Sequence, residues 1–215
     1  FLKMASKALV IKTSSGVLTF LMFLVVARVL TAEQFGLFGV GFSLALFCSV
    51  VGSLGLGTLI MRLWPEYTVG GNQKIAVQAM KWAIKRTFFV SLFPAGLIFI
   101  IFIILDIIEF QDHYDFGFGL SIATLIISMS ISEFLSGALR AQGKLTLALF
   151  PKDILWRLFV ILGFGFVYFF GIPVDASLVL LGSAMLLIMV TVVQILLSVL
   201  KDILKGNQNA TGEYR

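Results

Sequence analysis

The chain has 215 residues, of which 60% are hydrophobic and only 13% charged, and its formal net charge is +5. Because soluble domains carry roughly 25% charged residues, this composition excludes an ordinary soluble domain. Uncharged stretches of about 18 or more residues recur along the chain and predict transmembrane helices. The basic residues are spread over several segments instead of forming one patch, so the net charge does not indicate a nucleic-acid partner.

Six apolar segments are predicted to span the membrane as helices. They are residues 10–30, 37–61, 87–108, 117–139, 154–171 and 177–200. Each is close to the ~20 residues that cross ~30 Å of hydrocarbon. These spans predict an all-α integral membrane fold in which residues 1–215 form one six-helix bundle. Because the sequence starts at Phe1 and not at Met, we expect it to be a fragment of a longer protein.

The basic residues are distributed unequally between the two sides of the predicted bundle. One side holds Lys3, Lys7, Lys12, Arg62, Lys74, Lys81, Lys85, Arg86, Arg140, Lys144, Lys152, Arg157, Lys201, Lys205 and Arg215. The other side holds Arg28 alone, together with Glu33, Asp106, Glu109, Asp112, Asp115 and Asp175. Since cytoplasmic loops carry an excess of Lys and Arg, both termini are predicted to be cytoplasmic.

Span one carries polar residues at both of its ends. Lys12, Ser15, Gly16 and Thr19 share one face at the cytoplasmic end. At the other end, Arg28 lies about 160° around the helix from Lys12, at ~100° per residue. Because no other basic residue lies on the outer side, Arg28 either snorkels to the outer headgroups or has a specific role.

Span two carries small residues at every fourth position. This ridge consists of Gly41, Ala45, Ser49, Ser53 and Gly57. A row of small side chains lets another helix approach closely, and close approach drives helix association in lipid. The ridge therefore predicts tight packing, although a helix that must bend would also use such residues.

The segment between spans two and three is predicted to be an amphipathic helix. Its basic side carries Lys74, Gln78, Lys81 and Lys85, and its apolar side carries Ala76, Ala79, Met80 and Ala83. Such a helix lies on a membrane surface, where its basic side chains contact anionic headgroups. We expect an interfacial anchor that runs into span three in preference to a regulatory element.

Span four is the most polar of the six. Its polar stripe consists of Ser121, Thr124, Ser128, Ser132 and Ser136. Glu133 lies beside the stripe, about six residues or ~9 Å from the inner end. A carboxylate at that depth is costly against lipid and normally faces a bundle interior or a watery cavity. Glu133 therefore has a functional role, a structural partner, or a protonated and hydrogen-bonded state.

Sequence motifs for enzymatic chemistry are missing. The chain has no GxxxxGK[ST], GxSxG or HExxH motif, and Cys48 is its only cysteine. His113 stands among Asp106, Glu109, Asp112 and Asp115, but a solvated outer loop explains these residues better than a metal site does. We therefore expect no enzymatic activity, no cofactor and no metal.

Three stretches taken together point to a known family. They are "ARVLTAEQFGLFGVGFSL" (27–44), "GSLGLGTLIMRLWPEY" (52–67) and "LSGALRAQGKLTLALFPKDILWRL" (135–158). Their order and spacing resemble those of the polysaccharide biosynthesis and export proteins. These are lipid-linked oligosaccharide flippases of the multidrug/oligosaccharidyl-lipid/polysaccharide exporter superfamily. The resemblance covers roughly residues 5–165 of this sequence.

The resemblance implies a transporter made of two bundles of about six spans around a central cavity, working by alternating access. This chain would be the N-terminal bundle, completed by a missing C-terminal bundle or by a second chain. The implied cargo is an isoprenoid-linked oligosaccharide for cell-surface polysaccharide, such as lipopolysaccharide O-antigen. The implied location is a bacterial inner membrane or an archaeal cytoplasmic membrane.

The resemblance also implies roles for individual residues. Arginine matches phosphate with paired hydrogen bonds, so Arg28 at the outer end and Arg62 at the inner end are candidates for binding the diphosphate of the cargo. The polar stripe of span four is expected to line the cavity, because the sugar hydroxyls need polar partners. Glu133 is the candidate for binding a coupling ion.

Three other functions remain open. A drug or cation antiporter of the same superfamily is one, although such relatives usually hold a carboxylate in span one and none lies between Lys12 and Leu30. A membrane enzyme acting on the same lipid carriers would need an acidic or histidine cluster, and only residues 106–115 offer one. A non-transporting assembly subunit would need only the small-residue ridge of span two.

Overall fold

The computed structural model of the chain describes residues 2–108 and 116–212, with side chains described for residues 6, 8–108 and 116–198. Within these ranges the chain is helical and contains no strand. Among the described residues, five helical stretches are long and apolar enough to cross a membrane: Ala8–Val29, Ala32–Val69, Gln73–Ile107, Phe116–Ala141 and Ala176–Ser198. The chain therefore has an all-α fold of the kind found in multi-pass membrane proteins.

Eight α-helices and one π-helical segment make up the described fold. They are α1 (Leu2–Val29), α2 (Ala32–Ser53), α3 (Leu56–Val69), α4 (Gln73–Ile107), α5 (Phe116–Ala141), α6 (Leu145–Phe150), the π segment (Pro151–Leu155), α7 (Trp156–Phe169) and α8 (Ala176–Gly212). The predicted fifth span, residues 154–171, corresponds to α7, which has only 14 residues. It continues α6 and the π segment without a break, so residues 145–169 form one helical stretch.

The turn between α1 and α2 lies next to the start of α8. Thr31 caps α2, because its hydroxyl accepts a hydrogen bond of 3.3 Å from the backbone N–H of Gln34. The Gln34 side-chain oxygen in turn accepts a 2.8 Å hydrogen bond from the N–H of Ala176. Asp175 accepts another from the N–H of Leu178, also 2.8 Å long. These bonds hold two helix N-termini side by side.

Helix α5 is the centre of the bundle and packs against α2, α3, α4, α6 and α8. The five ridge residues of α2 and α3 are all buried, and Ser130 on α5 donates a hydrogen bond to the Ser49 carbonyl at 3.3 Å. The predicted packing role of the ridge is therefore confirmed. Helix α1 instead packs mainly against α6, the π segment and α7.

Helix α4 confirms the helix predicted over residues 74–85, but its environment differs from the expected one. The basic side is exposed, whereas Ala76 and Ala83 on the apolar side are buried. Ala83 packs in a cluster with Ile60 of α3 and Phe134 of α5. Small alanines allow this close approach between helices. The apolar side thus contacts protein, and the helix runs without a break into span three.

Candidate functional site

Five charged side chains from four elements gather in one part of the bundle. This charged cluster consists of Lys12 on α1, Glu133 on α5, Lys152 and Asp153 on the π segment and Arg157 on α7. Three of its members are cations and two are anions. Such groups are rare inside membrane bundles and mark functional positions when they occur.

Asp153 is the buried member that holds the charged cluster together. Its side chain is only 5% exposed and lies 2.8 Å from the Lys12 ammonium and 3.8 Å from the Arg157 guanidinium. Arg157 also donates hydrogen bonds to the carbonyls of Lys152, at 3.3 Å, and Asp153, at 2.7 Å. A buried carboxylate persists only when it is paired in this way. Asp153 therefore joins α1 to the π segment.

Proline at the start of the π segment explains part of its hydrogen bonding. Pro151 has no N–H, so the carbonyl of Leu147, four residues earlier, loses its usual helical donor. The side-chain nitrogen of Gln194 on α8 donates to this carbonyl at 2.8 Å and lies 3.4 Å from the carbonyl of Ala148. π-helical turns are rare and frequently occur at functional sites. Here the turn bears two members of the charged cluster.

Trp156, the first residue of α7, fixes the far end of the π segment. Its indole N–H donates a 2.8 Å hydrogen bond to the carbonyl of Ser183 on α8. Its ring stacks on Phe42 of α2, with ring centroids 6.4 Å apart. Because α2 and α8 both hold this side chain, the π segment has a defined position relative to the rest of the bundle.

Glu133 contacts the ammonium of Lys152 and remains 48% exposed. It also lines a cavity of about 220 Å³ with Arg140, Gly55 and Thr58. Arg140 donates a 3.2 Å hydrogen bond to the backbone carbonyl of Ser136 on its own helix and does not pair with Glu133. The cavity therefore presents an acidic group and a basic group on one wall, with the end of α2 opposite.

Span two is interrupted at the level of this cavity. Leu54 and Gly55 adopt left-handed backbone angles, with φ of 46° and 63°. The interruption separates α2 from α3, so the backbone groups at both helix ends lack their usual intrahelical partners. Directly after it, α3 meets α5 so closely that a Cβ on Gly137 would lie 2.6 Å from the Cα of Gly57. The ridge therefore serves both packing and a change of helix direction.

The two arginines predicted to bind diphosphate lie far apart. Arg28 is in the last turn of α1 and Arg62 is on α3, and both are exposed. The helices α2 and α3 place roughly 45 Å of helix between them, at 1.5 Å per residue. The structure does not bring them together, and neither belongs to the charged cluster.

The polar stripe of span four lies mostly inside the bundle. Ser121, Ser128, Ser132 and Ser136 are buried, and Thr124 is half-buried. The hydroxyls of Ser121 and Ser128 donate to carbonyls of their own helix at 2.8 and 2.9 Å. The Ser132 hydroxyl is buried without a hydrogen-bond partner among the described residues. Whether the stripe lines a transport path stays a prediction.

Sequence reasoning singled out Glu133 but missed the rest of the charged cluster as a site. The predicted fifth span began at residue 154, which left Lys152 and Asp153 in a loop. The missed signal was Asp153 itself, an acidic residue placed between apolar runs on the side otherwise rich in Lys and Arg.

A metal site gains no support from the part of the chain that the structure describes. Within it, no three His, Cys, Asp or Glu side chains are grouped so that they could hold an ion. His113, with Glu109, Asp112 and Asp115, lies outside the described residues. No protein-family model, no curated protein and no solved structure matches the chain. A functional assignment therefore rests on the residues themselves.

Proposed function

We propose that this chain is one six-span bundle of a two-bundle transporter that flips a lipid-linked oligosaccharide across a cytoplasmic membrane by alternating access. The cargo has a large polar head, a diphosphate and an isoprenoid tail. Its hydroxyls would lose their water without compensation in bare hydrocarbon. A protein face with polar and cationic groups offers that compensation, while the tail stays in lipid.

The observation that carries this proposal is the exposure of charged side chains at membrane depth. Lys12 is 62% exposed and Glu133 is 48% exposed. Glu133 lies eight residues before the end of α5, which is about 12 Å along the helix. A charged group facing hydrocarbon costs roughly 2.5–3.5 kcal/mol or more. This face is therefore suited to a water-filled cavity or a second bundle, and not to lipid.

The arrangement suggests how the cargo would be handled. Arg28 and Arg62 lie towards opposite ends of the bundle, where each would capture the diphosphate at its own mouth. Lys12 and Lys152 lie between them and would offer cations along the path. Lys152 contacts Glu133, so a phosphate that binds Lys152 would displace the carboxylate of Glu133.

An ion-coupled antiporter of the same superfamily is the second candidate, and the accessible carboxylate of Glu133 favours it. Glu133 is 48% exposed and lines the cavity, and an accessible carboxylate inside a membrane bundle is the kind of group that binds a coupling ion. A non-transporting assembly subunit would have no need of charges at this depth. Proteoliposomes separate the two transport functions, since a flippase moves fluorescent isoprenoid-diphosphate glycans and an antiporter moves cationic dyes against a proton gradient.

Substitution of Arg28 tests the flippase proposal directly. In the complete transporter, Arg28→Ala is expected to abolish glycan export and Arg28→Lys to restore part of it, because lysine keeps the charge but not the paired hydrogen bonds. Lys74→Ala, which removes an exposed charge that belongs neither to the charged cluster nor to the cavity, is the control and should export normally. Full export by the alanine variant would remove Arg28 from the mechanism.

Reporter fusions test the orientation on which the mechanism depends. A reporter active only outside the cytoplasm should work when fused near Asp112 and fail when fused near Lys74. This expectation follows from the excess of Lys and Arg on one side of the bundle. The reverse pattern would place Arg28 at the cytoplasmic mouth and overturn the proposed assignment of Arg28 and Arg62 to the outer and inner mouths.

A further inference from the structure

Helix α4 is longer than a membrane crossing requires. Its 35 residues, Gln73–Ile107, correspond to about 52 Å of helix, whereas the hydrocarbon layer is ~30 Å thick. From Thr87 to Ile107 the only charged residue is Asp106, near the helix end. The membrane crossing therefore occupies the part of α4 after Arg86. The part before it, about 20 Å long, extends beyond the hydrocarbon.

The extending part of α4 carries basic side chains that form no ion pair with the other residues the structure describes. Lys74, Lys81, Lys85 and Arg86 are all exposed. The ion pairs found among the described residues involve Lys12, Lys152 and Arg157 instead. The opposite side of the helix is already covered by α3 and α5. The basic side is therefore available to a partner outside the bundle, and its charge requires an anionic one.

The position of the basic residues along α4 indicates which of them meet lipid headgroups. Each headgroup layer is roughly 5–7 Å thick, which is the length of about four helical residues. Lys85 and Arg86 fall within that distance of Thr87, Trp82 lies about 7.5 Å from it at the outer edge of the layer, and Lys74 lies about 20 Å from it. Only the residues nearest the hydrocarbon are at headgroup depth.

Trp82 adds an aromatic group one helical turn outward of Lys85 and Arg86. Its side chain is 52% exposed, and the Arg86 guanidinium lies 5.1 Å from the ring centroid. Tryptophan is enriched in the membrane–water interface, because its ring is apolar and its N–H is polar. The ring also orients the guanidinium beside it. The three side chains thus form one surface with an apolar part and a doubly cationic part.

We propose that Trp82, Lys85 and Arg86 form a binding site for the headgroup of an anionic phospholipid at the basic end of the bundle. The Lys85 ammonium and the Arg86 guanidinium bind the phosphate, since both donate charge-assisted hydrogen bonds. The Trp82 ring, one helical turn further from the hydrocarbon, lies against the Arg86 guanidinium and holds it towards the phosphate. This proposal rests on the position of α4 relative to the hydrocarbon layer, and it holds whichever cargo is transported.

Native mass spectrometry of the purified full chain tests this site, with phosphatidylglycerol as the probe and phosphatidylcholine as its zwitterionic competitor. The matched pair of variants is Lys85→Gln and Lys74→Gln, because both remove one exposed lysine from the same helix. Each basic residue near the surface strengthens anionic-lipid binding about fivefold. Lys85→Gln is therefore expected to weaken phosphatidylglycerol retention about fivefold, and Lys74→Gln to leave it within twofold.

Quenching of tryptophan fluorescence by brominated phosphatidylglycerol gives a second readout. The quenching assigned to Trp82 is the difference in quenching between the unmodified chain and its Trp82→Phe variant. The double variant Lys85→Gln/Arg86→Gln should reduce this difference. Equal losses of phosphatidylglycerol retention in the Lys74→Gln and Lys85→Gln variants would show diffuse electrostatic attraction instead of a defined site, and would overturn the proposal. Displacement of the lipid by soluble glycerol phosphate at matched concentration would likewise overturn the assignment to a membrane lipid.

Discussion

Lys152 of the π segment contacts Glu133 on α5, and the residue that follows Lys152, Asp153, pairs with Lys12 on α1. Two consecutive residues of the π segment thus have partners of opposite charge on two different helices. The π segment therefore links α1 to the central helix of the bundle. A shift of either helix would have to break, lengthen or exchange one of these two ion pairs.

We predict that the Glu133–Lys152 pair contributes modestly to stability, because both side chains are partly exposed. Partly exposed ion pairs typically contribute about 0.2–1 kcal/mol. Glu133→Gln and Lys152→Gln should each lower the free energy of unfolding by about 1 kcal/mol, and the double variant should lose less than the sum. Titration with dodecyl sulfate in micelles measures these values, with Asp106→Asn as the exposed control. Strict additivity of the two single effects would show that the pair is not coupled.

Close packing of α3 on α5 predicts a large difference between two glycine variants. A Cβ on Gly137 would lie 2.6 Å from the Cα of Gly57, whereas a Cβ on Gly163 would meet nothing within 4 Å. Gly137→Ala must push two helices apart and is expected to cost about 2 kcal/mol of unfolding free energy. Gly163→Ala should be neutral or slightly stabilising, because alanine favours a helix. Equal stabilities of the two variants, measured by thermal unfolding, would contradict the observed helix contact.

The sequence was sufficient to predict that the small-residue ridge packs against another helix, because this depends on a simple spacing. Residues four apart lie on one face of a helix, so Gly41, Ala45, Ser49 and Ser53 share one face of α2, and Gly57 is buried beyond the interruption, on α3. The positions of the long apolar helices also follow from the pattern of hydropathy along the chain. The exposed side of the helix over residues 74–85 was predicted for the same reason, although its apolar partner was not.

The charged cluster could not be predicted in the same way. Lys12 and Asp153 are 141 positions apart in the chain, and only the packing of α1 on the π segment brings them together. The π segment could not be recognised from the hydropathy pattern either. A π-helical turn is wider than an α-helical one, so it interrupts the 3.6-residue repeat on which the prediction of helices depends. A bend in span two was left open by its small residues, but its position at Leu54 was not predicted, since an apolar residue in a left-handed conformation gives no sequence signal.

Leu54 provides a test of the interruption in span two. Its φ of 46° and ψ of 23° cost an L-residue roughly 1–2 kcal/mol relative to glycine. Leu54→Gly is therefore expected to raise the free energy of unfolding by about 1 kcal/mol, since the side chain is 60% exposed and packs little. The control, Leu59→Gly, lies in helical α3 and should lower it by about 1 kcal/mol. If both variants are destabilised alike, span two is a continuous helix at this point.

Gln194 and Pro151 are expected to be thermodynamically coupled. Gln194 is 1% exposed and donates to the Leu147 carbonyl that Pro151 leaves without a helical donor. Gln194→Leu removes this bond and leaves a buried carbonyl unsatisfied, which costs about 1–3 kcal/mol. In a Pro151→Ala background, the alanine N–H can donate to Leu147, so the same Gln194→Leu change should cost less than about half as much. A double-mutant cycle in dodecyl sulfate titrations measures the coupling. A Gln194→Leu cost that is the same in both backgrounds would mean that the glutamine does not substitute for the missing proline N–H.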